Sequence, residues 1–571
     1  ETEAAEDFRN IDYTVIVNTA STYGEDKYTW LDDSASYLLG RGITELRDVS
    51  KSVYLELEKE DAEQIERVTF ANRFIFNYER WLLFVAGIGA LAILIFLRKV
   101  LMQRLELVFL LLAMAFGIAI LFSHGITPLC WDEQIHFSCI YQMSYPGEVP
   151  QTESYTAYVT LQLPRGNTVE EHELLAAWAD AHHDLNTAVY APKDYPHTTV
   201  FGRVGYIFEA FSMLLARVLG AGFSACIYIS NFVNLLVYVV VVTFAIRLAA
   251  FGKRAMFFIA MMPVPLLLAT AFSYDAFTNA FLLLGYALYS REYISPEKLN
   301  YKRMGLCAAA FVLGVIPKAV YFPLALLPAF LPKEKYRSKK ERNIYFVLLL
   351  LLALALASTF VLPTILAGSG GIDLYSDPRR ATANVSAQLT LILHHPIKYL
   401  RLLFVNIFSW QLPWYLGMKS WTNFVYSGMY TGTGTYLISL IFAFLALTQG
   451  SMDIRASKEN GMEDIAVTGS EMPSLRRFKI GAVILSLISQ MAVWSAMYLA
   501  FNPVGAERIK GVQGRYLFPF VWLIILLFFN KKITCCLSQR TYNRIIAGAG
   551  AFISFLTCYM VYYSTMWMNV I

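Results

Sequence analysis

Leu107-Val108-Phe109-Leu110-Leu111-Leu112-Ala113-Met114-Ala115-Phe116-Gly117-Ile118-Ala119-Ile120-Leu121-Phe122-Ser123 is followed, a few residues on, by Cys130-Trp131-Asp132-Glu133-Gln134-Ile135-His136-Phe137. The first stretch carries no charge and as a helix is about 26 Å long, enough to cross a bilayer. The second places two adjacent carboxylates and an imidazole at the end of that crossing. Ionisable groups at a lipid boundary stay charged only if water, a partner or a substrate solvates them, so they mark a candidate site. The competing reading is a wet helix cap.

Outward from this stretch the composition agrees. Of 571 residues 57% are hydrophobic and only 16% charged, against about 25% charged in soluble domains, so the chain reads as a polytopic membrane protein. A net charge of +4 is too small to argue for nucleic acid. Lys and Arg stand in short clusters between apolar runs, where lipid head groups are their natural partners. The seven cysteines show no metal-binding spacing, although Cys130 and Cys139 share a loop and could pair if it is oxidised. The chain starts at Glu1 with no initiator Met and no signal-like segment, which suggests a processed or truncated form.

Residues 1–78 alternate polar and apolar, as in Tyr13-Thr14-Val15-Ile16-Val17 and Arg67-Val68-Thr69-Phe70, and are expected to form a small β-rich domain. Residues 79–571 are expected to form the membrane domain. Its first crossing is Trp81 to Leu97, and the basic stretch Arg98 to Arg104 goes inside. That places the β-rich domain and Asp132 outside, with an outer loop over 124–199. Keeping the later basic clusters inside imposes two conditions: Val204 to Leu219 does not fully cross, and Gly305 to Leu331 folds as two short helices turning near Pro317-Lys318. Half-crossing helices line a cavity or are buried in protein, so this choice predicts a cavity. Further crossings are Phe223 to Ile246, Ala276 to Ser290, Tyr345 to Leu362, Val425 to Leu447, Ile480 to Ala500, Tyr516 to Asn530 and Ile545 to Met566. A second outer loop, 363–423, holds an amphipathic stretch from His395 to Phe404. The segment Gln449 to Arg477 reads as an inner connector.

This topology brings four clusters to the outer face: Asp132-Glu133 with His136; Ser273-Tyr274-Asp275; Lys318; and Gly511-Val512-Gln513-Gly514-Arg515-Tyr516. The acids suit general-base work on a hydroxyl, while Arg and Lys suit a phosphate. Each has a plainer reading: Asp275 as a helix cap, Lys318 as a snorkelling side chain, Gly511 and Gly514 as a tight turn. Asp132, Glu133 and His136 also lie at helical spacing that could hold a divalent ion, although the pattern is not His-Glu-x-x-His.

Trp131-Asp132-Glu133-x-x-His136-Phe137, Ser273-Tyr274-Asp275-Ala276, Lys318 followed by Tyr321, and Gly511-Val512-Gln513-Gly514-Arg515-Tyr516 together resemble the DUF2142 family of bacterial polytopic membrane proteins, over roughly Leu107 to the C-terminus. That family is similar to GT-C glycosyltransferases. The resemblance implies a mainly α, GT-C-like helix bundle in the bacterial cytoplasmic membrane. It further implies a catalytic acid in the first outer loop, a polyprenyl-phosphate sugar as donor, and a cell-envelope glycan as acceptor.

On this reading Asp132 or Glu133 is the catalytic acid, and His136, Tyr274, Asp275, Lys318, Gln513, Arg515 and Tyr516 bind substrate. No cofactor is required, and no nucleotide-binding pattern is present. The rival class is a transporter or flippase of lipid-linked glycans. Its charges should continue toward the inner leaflet, where Glu209 and Arg217 are the candidates within the apolar runs.

Overall fold

The computed structural model describes residues 84–96, 104–123, 132–156, 188–195, 200–359, 383–409, 436–453, 475–529 and 533–561, with single positions beside them. The β-rich domain expected over 1–78 lies outside these residues, as does most of the connector after Asp453. What is described is mainly helical. Among the described residues seven helical segments are, by length and composition alone, long and apolar enough to cross a membrane, Tyr301–Phe330 among them.

The chain runs through α1 (Tyr78–Phe96), α2 (Leu105–His124) and α3 (Glu133–Met143), then a two-stranded antiparallel pair, β1 (Val149–Gln151) with β2 (Val189–Ala191). After it come α4 (Ile207–Val218), α5 (Phe223–Leu248), α6 (Lys253–Ala260), α7 (Pro263–Thr270) and α8 (Tyr274–Ile294). Next, α9 (Tyr301–Val315) continues into a 3-10 limb, Ile316–Phe330. The rest is α10 (Lys339–Leu366), α11 (Val385–His394), α12 (Pro396–Asn406), α13 (Gly432–Glu459), α14 (Arg476–Phe501), α15 (Phe518–Leu527) and α16 (Gln539–Met568).

Three departures from plain crossing helices shape the molecule. The first is α6 with α7, bent by 56° where Met262 turns extended and Pro263 cannot continue the preceding helix. Asn234 of α5 donates to the carbonyls of Leu268 (3.2 Å) and Ala271 (2.9 Å), satisfying backbone groups that α7 leaves open. The second is the short α4, about 18 Å long. It packs back along α5 and is fastened to the α3 region at both ends, by Tyr206 to His136 and by Arg217 to Ser144. Its 12 residues are fewer than the roughly 20 that a bilayer crossing needs.

The third is Tyr301 to Phe330. A straight helix of 30 residues would be about 45 Å long, yet the Leu299 N–H donates to the Lys335 carbonyl at 2.8 Å. The segment is therefore a hairpin, and its backbone leaves helical geometry at Lys318 (φ −140°, ψ 74°). Its ascending limb lies tight on α8: a side chain at Gly314 would come within 2.9 Å of the Leu282 backbone nitrogen.

Several sequence boundaries are corrected. The crossing placed at Val425 to Leu447 is the helix Gly432–Glu459, of which Tyr436–Asp453 is the candidate span. Gln449 and Asp453 are thus helical and buried rather than part of a connector. Tyr516 to Asn530 is shorter than expected: a 3-10 turn, Gly514–Leu517, leads into α15, whose residues are almost all buried. An interior helix has no lipid-facing side to keep apolar over a full bilayer thickness. Cys130 and Cys139 are both buried and share no disulfide, since α3 carries Cys139 about 9 Å along its axis from Glu133.

The bundle has two polar ends. At one, Glu292 meets Lys335 (2.7 Å) and Arg303 (2.8 Å), and buried Arg254 meets Asp453 (3.0 Å) and Asn543 (2.7 Å). At the other stand Asp132, Asp275, Lys318 and Arg515. Helix α8 links the ends, with Asp275 and Glu292 about 26 Å apart along its axis, close to the ~30 Å of a hydrocarbon core. Between them lies an aromatic layer in which Trp522 stacks on Tyr286 (centroids 5.2 Å apart) and on Phe251 (5.9 Å).

Candidate functional site

Asp132 begins the site with an unusual backbone. Its φ is 67°, the only positive value at a non-glycine among the described residues, and aspartate is one of the few residues that tolerate it. From there α3 starts, and the Asp132 carbonyl accepts the Ile135 and His136 N–H groups, both at 3.0 Å. The side chain is free to point away from the helix, to Arg515 Nη2 at 2.7 Å.

Arg515 sits in the 3-10 turn that opens α15 and is buried. Its Nε lies 3.5 Å from Asp275 Oδ2, and the other Asp275 oxygen accepts from Lys318 Nζ at 3.0 Å. Asp275 is held in place because Ser273 caps α8, its hydroxyl accepting the Asp275 N–H at 3.1 Å. Lys318 comes from the hairpin tip, and its ammonium lies 3.7 Å from the Tyr516 ring centroid, a cation–π contact. Four residues from four distant parts of the chain thus form one row: Asp132, Arg515, Asp275, Lys318. The row is neutral overall, as a poorly hydrated site requires.

Exposure is uneven along it. The side chains of Arg515, Asp275 and Lys318 are 3%, 7% and 14% exposed, whereas that of Asp132 is 29% exposed. Asp132 is the acid that solvent or a substrate can reach.

The remaining expected residues surround the row. His136 bonds through Nδ1 to the Tyr206 hydroxyl and packs edge-on against Tyr274, ring centroids 5.0 Å apart. Burial, then the nearby Arg515 charge, holds its pKa down to about 4, so it is neutral at pH 7. The Tyr516 carbonyl accepts from the Tyr321 hydroxyl at 3.0 Å, tying the hairpin to the Arg515 turn. The side-chain oxygen of Gln513 is buried with no hydrogen-bond partner among the described residues.

Glu133 is placed differently from Asp132. Its Oε2 accepts the Cys130 N–H at 2.9 Å and its Oε1 the Phe272 N–H at 3.3 Å. Asp132, Glu133 and His136 therefore aim at three different partners and do not converge as a ligand set. Glu209 is buried against the Ser273 backbone, and Arg217 holds Ser144, so both belong to the Asp132 end. Arg379 and Arg380 of the second loop lie outside the described residues, and Arg401 is exposed on α12.

Tyr206 was not singled out in the sequence. It is separated from His136 by 70 positions, and only the glycine before it hints at a close approach. A side chain at Gly205 would stand 2.6 Å from Tyr274 Cβ and 3.1 Å from Pro317 Cβ. No known curated protein and no solved structure matches the chain. A family model described as a predicted membrane protein matches residues 114–524, a range that holds Asp132, His136, Asp275, Lys318 and Arg515, and the chain belongs to this family, DUF2142.

Proposed function

We propose that this protein is a membrane glycosyltransferase that moves a sugar from a polyprenyl-phosphate donor to a cell-envelope glycan acceptor, with inversion, at the outer face of a bacterial cytoplasmic membrane. The observation that carries the reading is the row of Asp132, Arg515, Asp275 and Lys318. An accessible carboxylate stands next to two buried cations, one of them a planar fork suited to phosphate oxygens.

In the proposed reaction an acceptor hydroxyl oxygen attacks the anomeric carbon as the bond from that carbon to the phosphate oxygen breaks. The hydroxyl proton passes to Asp132, and the polyprenyl phosphate leaves with the bonding electrons. Arg515 and Lys318 stabilise the charge that grows on it. Arg515 is paired with Asp132 before substrate arrives, so a donor phosphate competes for the same guanidinium and sets Asp132 free to act as base. Asp275 keeps both cations in place, and neutral His136 with Tyr274 and Tyr206 walls the acceptor side.

The alternative is a transporter or flippase of lipid-linked glycans, and ion pairs at both ends of α8 favour it. Against it stands the packed layer of Phe251, Tyr286 and Trp522 between those ends, which leaves no charged side chain in the middle of that helix. The deciding experiment is to incubate the purified protein with polyprenyl-phosphate sugars and glycan acceptors. Sugar transfer that stops in Asp132→Asn supports the enzyme; movement of intact lipid-linked sugar across vesicles without transfer supports the rival.

A further inference from the structure

We infer that Glu133, although adjacent to the accessible acid, is a positioning residue that fixes Asp132 against Arg515 and sets the spacing between the site's two carboxylates. The inference rests on the ion-pair row being the site. It goes beyond that reading by separating the roles of two neighbouring acids.

Three bonds carry the argument. The Glu133 N–H donates to the Cys130 carbonyl at 3.2 Å, while the Cys130 N–H donates back to Glu133 Oε2 at 2.9 Å. These reciprocal bonds close a small ring across Asp132 and hold it at the left-handed φ of 67°. Such a conformation persists in an L-residue only where its surroundings over-determine it. The third bond leaves the ring: Glu133 Oε1 accepts the Phe272 N–H at 3.3 Å. Phe272 lies just before the Ser273 cap of α8, and Asp275 follows in the first turn. One buried carboxylate, 1% exposed, therefore joins the loop that presents Asp132 to the helix that presents Asp275.

Arg515 spans these two acids, so its geometry depends on that joint. Both Glu133 oxygens accept from backbone amides, and a group so engaged is poorly disposed to exchange protons with a substrate. Among the described residues Asp132 accepts no such bond, and its side chain reaches Arg515 instead.

The test uses the full-length protein in detergent or nanodiscs. Thermal midpoints are measured for Asp132→Asn, Arg515→Gln and the double variant, in the natural chain and again in a Glu133→Gln background. In the natural chain the double variant should lose clearly less than the sum of the single losses, because the two side chains are coupled. In the Glu133→Gln background, where one acceptor is replaced by an amide N–H that faces another N–H, the losses should become additive. Coupling that survives intact overturns the inference. Where Glu133→Gln does not accumulate, amide hydrogen exchange on the natural protein decides: Cys130 and Phe272 should be protected well beyond their neighbours, and fast exchange at both overturns it.

In the transfer assay Glu133→Gln should slow turnover about tenfold to a hundredfold with the shape of the pH profile unchanged. Loss of a limb of that profile would make Glu133 a proton-transfer group and also overturn the inference. A natural protein that transfers no sugar would sink the enzymatic reading yet leave the coupling result to be judged on its own.

Discussion

At the scale of the residue, the placement of Asp132 and Arg515 leads to distinct expectations. Asp132→Asn keeps size and hydrogen bonding but cannot accept the proton, so turnover should fall at least about 10²-fold while donor binding is kept or tightened, since Arg515 loses a competitor. Arg515→Lys keeps the charge and loses the fork, and a bidentate role predicts a large loss of rate, measurable with the same assay. Unchanged rate and donor affinity would make this arginine a structural anchor. His136 gives a stability test. Its folded pKa of about 4 lies below its ordinary 6.5, so the fold favours the neutral ring. That contribution is complete above about pH 6.5 and is lost as the pH falls toward 4, up to about 3 kcal/mol. The thermal midpoint should therefore drop less steeply between pH 7 and 4.5 in His136→Gln than in the natural protein. The residue types of the site were legible because an uncompensated charge beside an apolar run demands an explanation. The split between Asp132 and Glu133 was not, because it depends on one backbone φ and on amides supplied by Phe272, far along the chain.

At the scale of the element, the hairpin from Tyr301 to Phe330 shows what charge patterning can and cannot reveal. Pro317-Lys318 inside an apolar run, with Lys302 and Arg303 before it and Lys333 after it, already called for a turn, since a single crossing would have put basic clusters on opposite sides. The α6–α7 break was not spelled out, because Pro263 and Pro265 lie in a run whose length alone suits neither one span nor two. The boundary at Leu447 was misjudged for a related reason: Asp453 looks like a loop residue until Arg254 and the Gly252 N–H are brought to it by tertiary packing. The hairpin is checked by cross-linking. Lys298 and Glu334 are exposed, and the Lys298 ammonium reaches the Glu334 carbonyl at 2.9 Å, so Lys298→Cys with Glu334→Cys should be joined by a short thiol cross-linker in high yield. A straight helix would hold these positions apart by more than its own length of about 45 Å, and no cross-link would form.

At the scale of the whole molecule, two clusters of opposite charges stand a hydrocarbon thickness apart, and they should respond differently to mutation. Removing Arg254 leaves Asp453 buried without its cation, which costs about 3–5 kcal/mol. Arg254→Ala should lower the thermal midpoint sharply, whereas donor affinity per folded molecule should not change. Asp453→Asn in the same background should recover part of the loss, because it removes the stranded charge. The row at the other end has an order in time as well as in space. Chains emerge from the ribosome N-terminus first at about 5–20 residues per second, so both acids are made before either cation. Asp275 precedes Lys318 by 43 positions, while Asp132 precedes Arg515 by 383, a delay of about 20–75 seconds at that rate. Lys318 is thus made when its counter-charge already exists. Asp132 has to wait for the last tenth of the chain, and a protein truncated before Arg515 would lack the guanidinium that pairs with it, a mark by which quality control would tell unfinished molecules from finished ones.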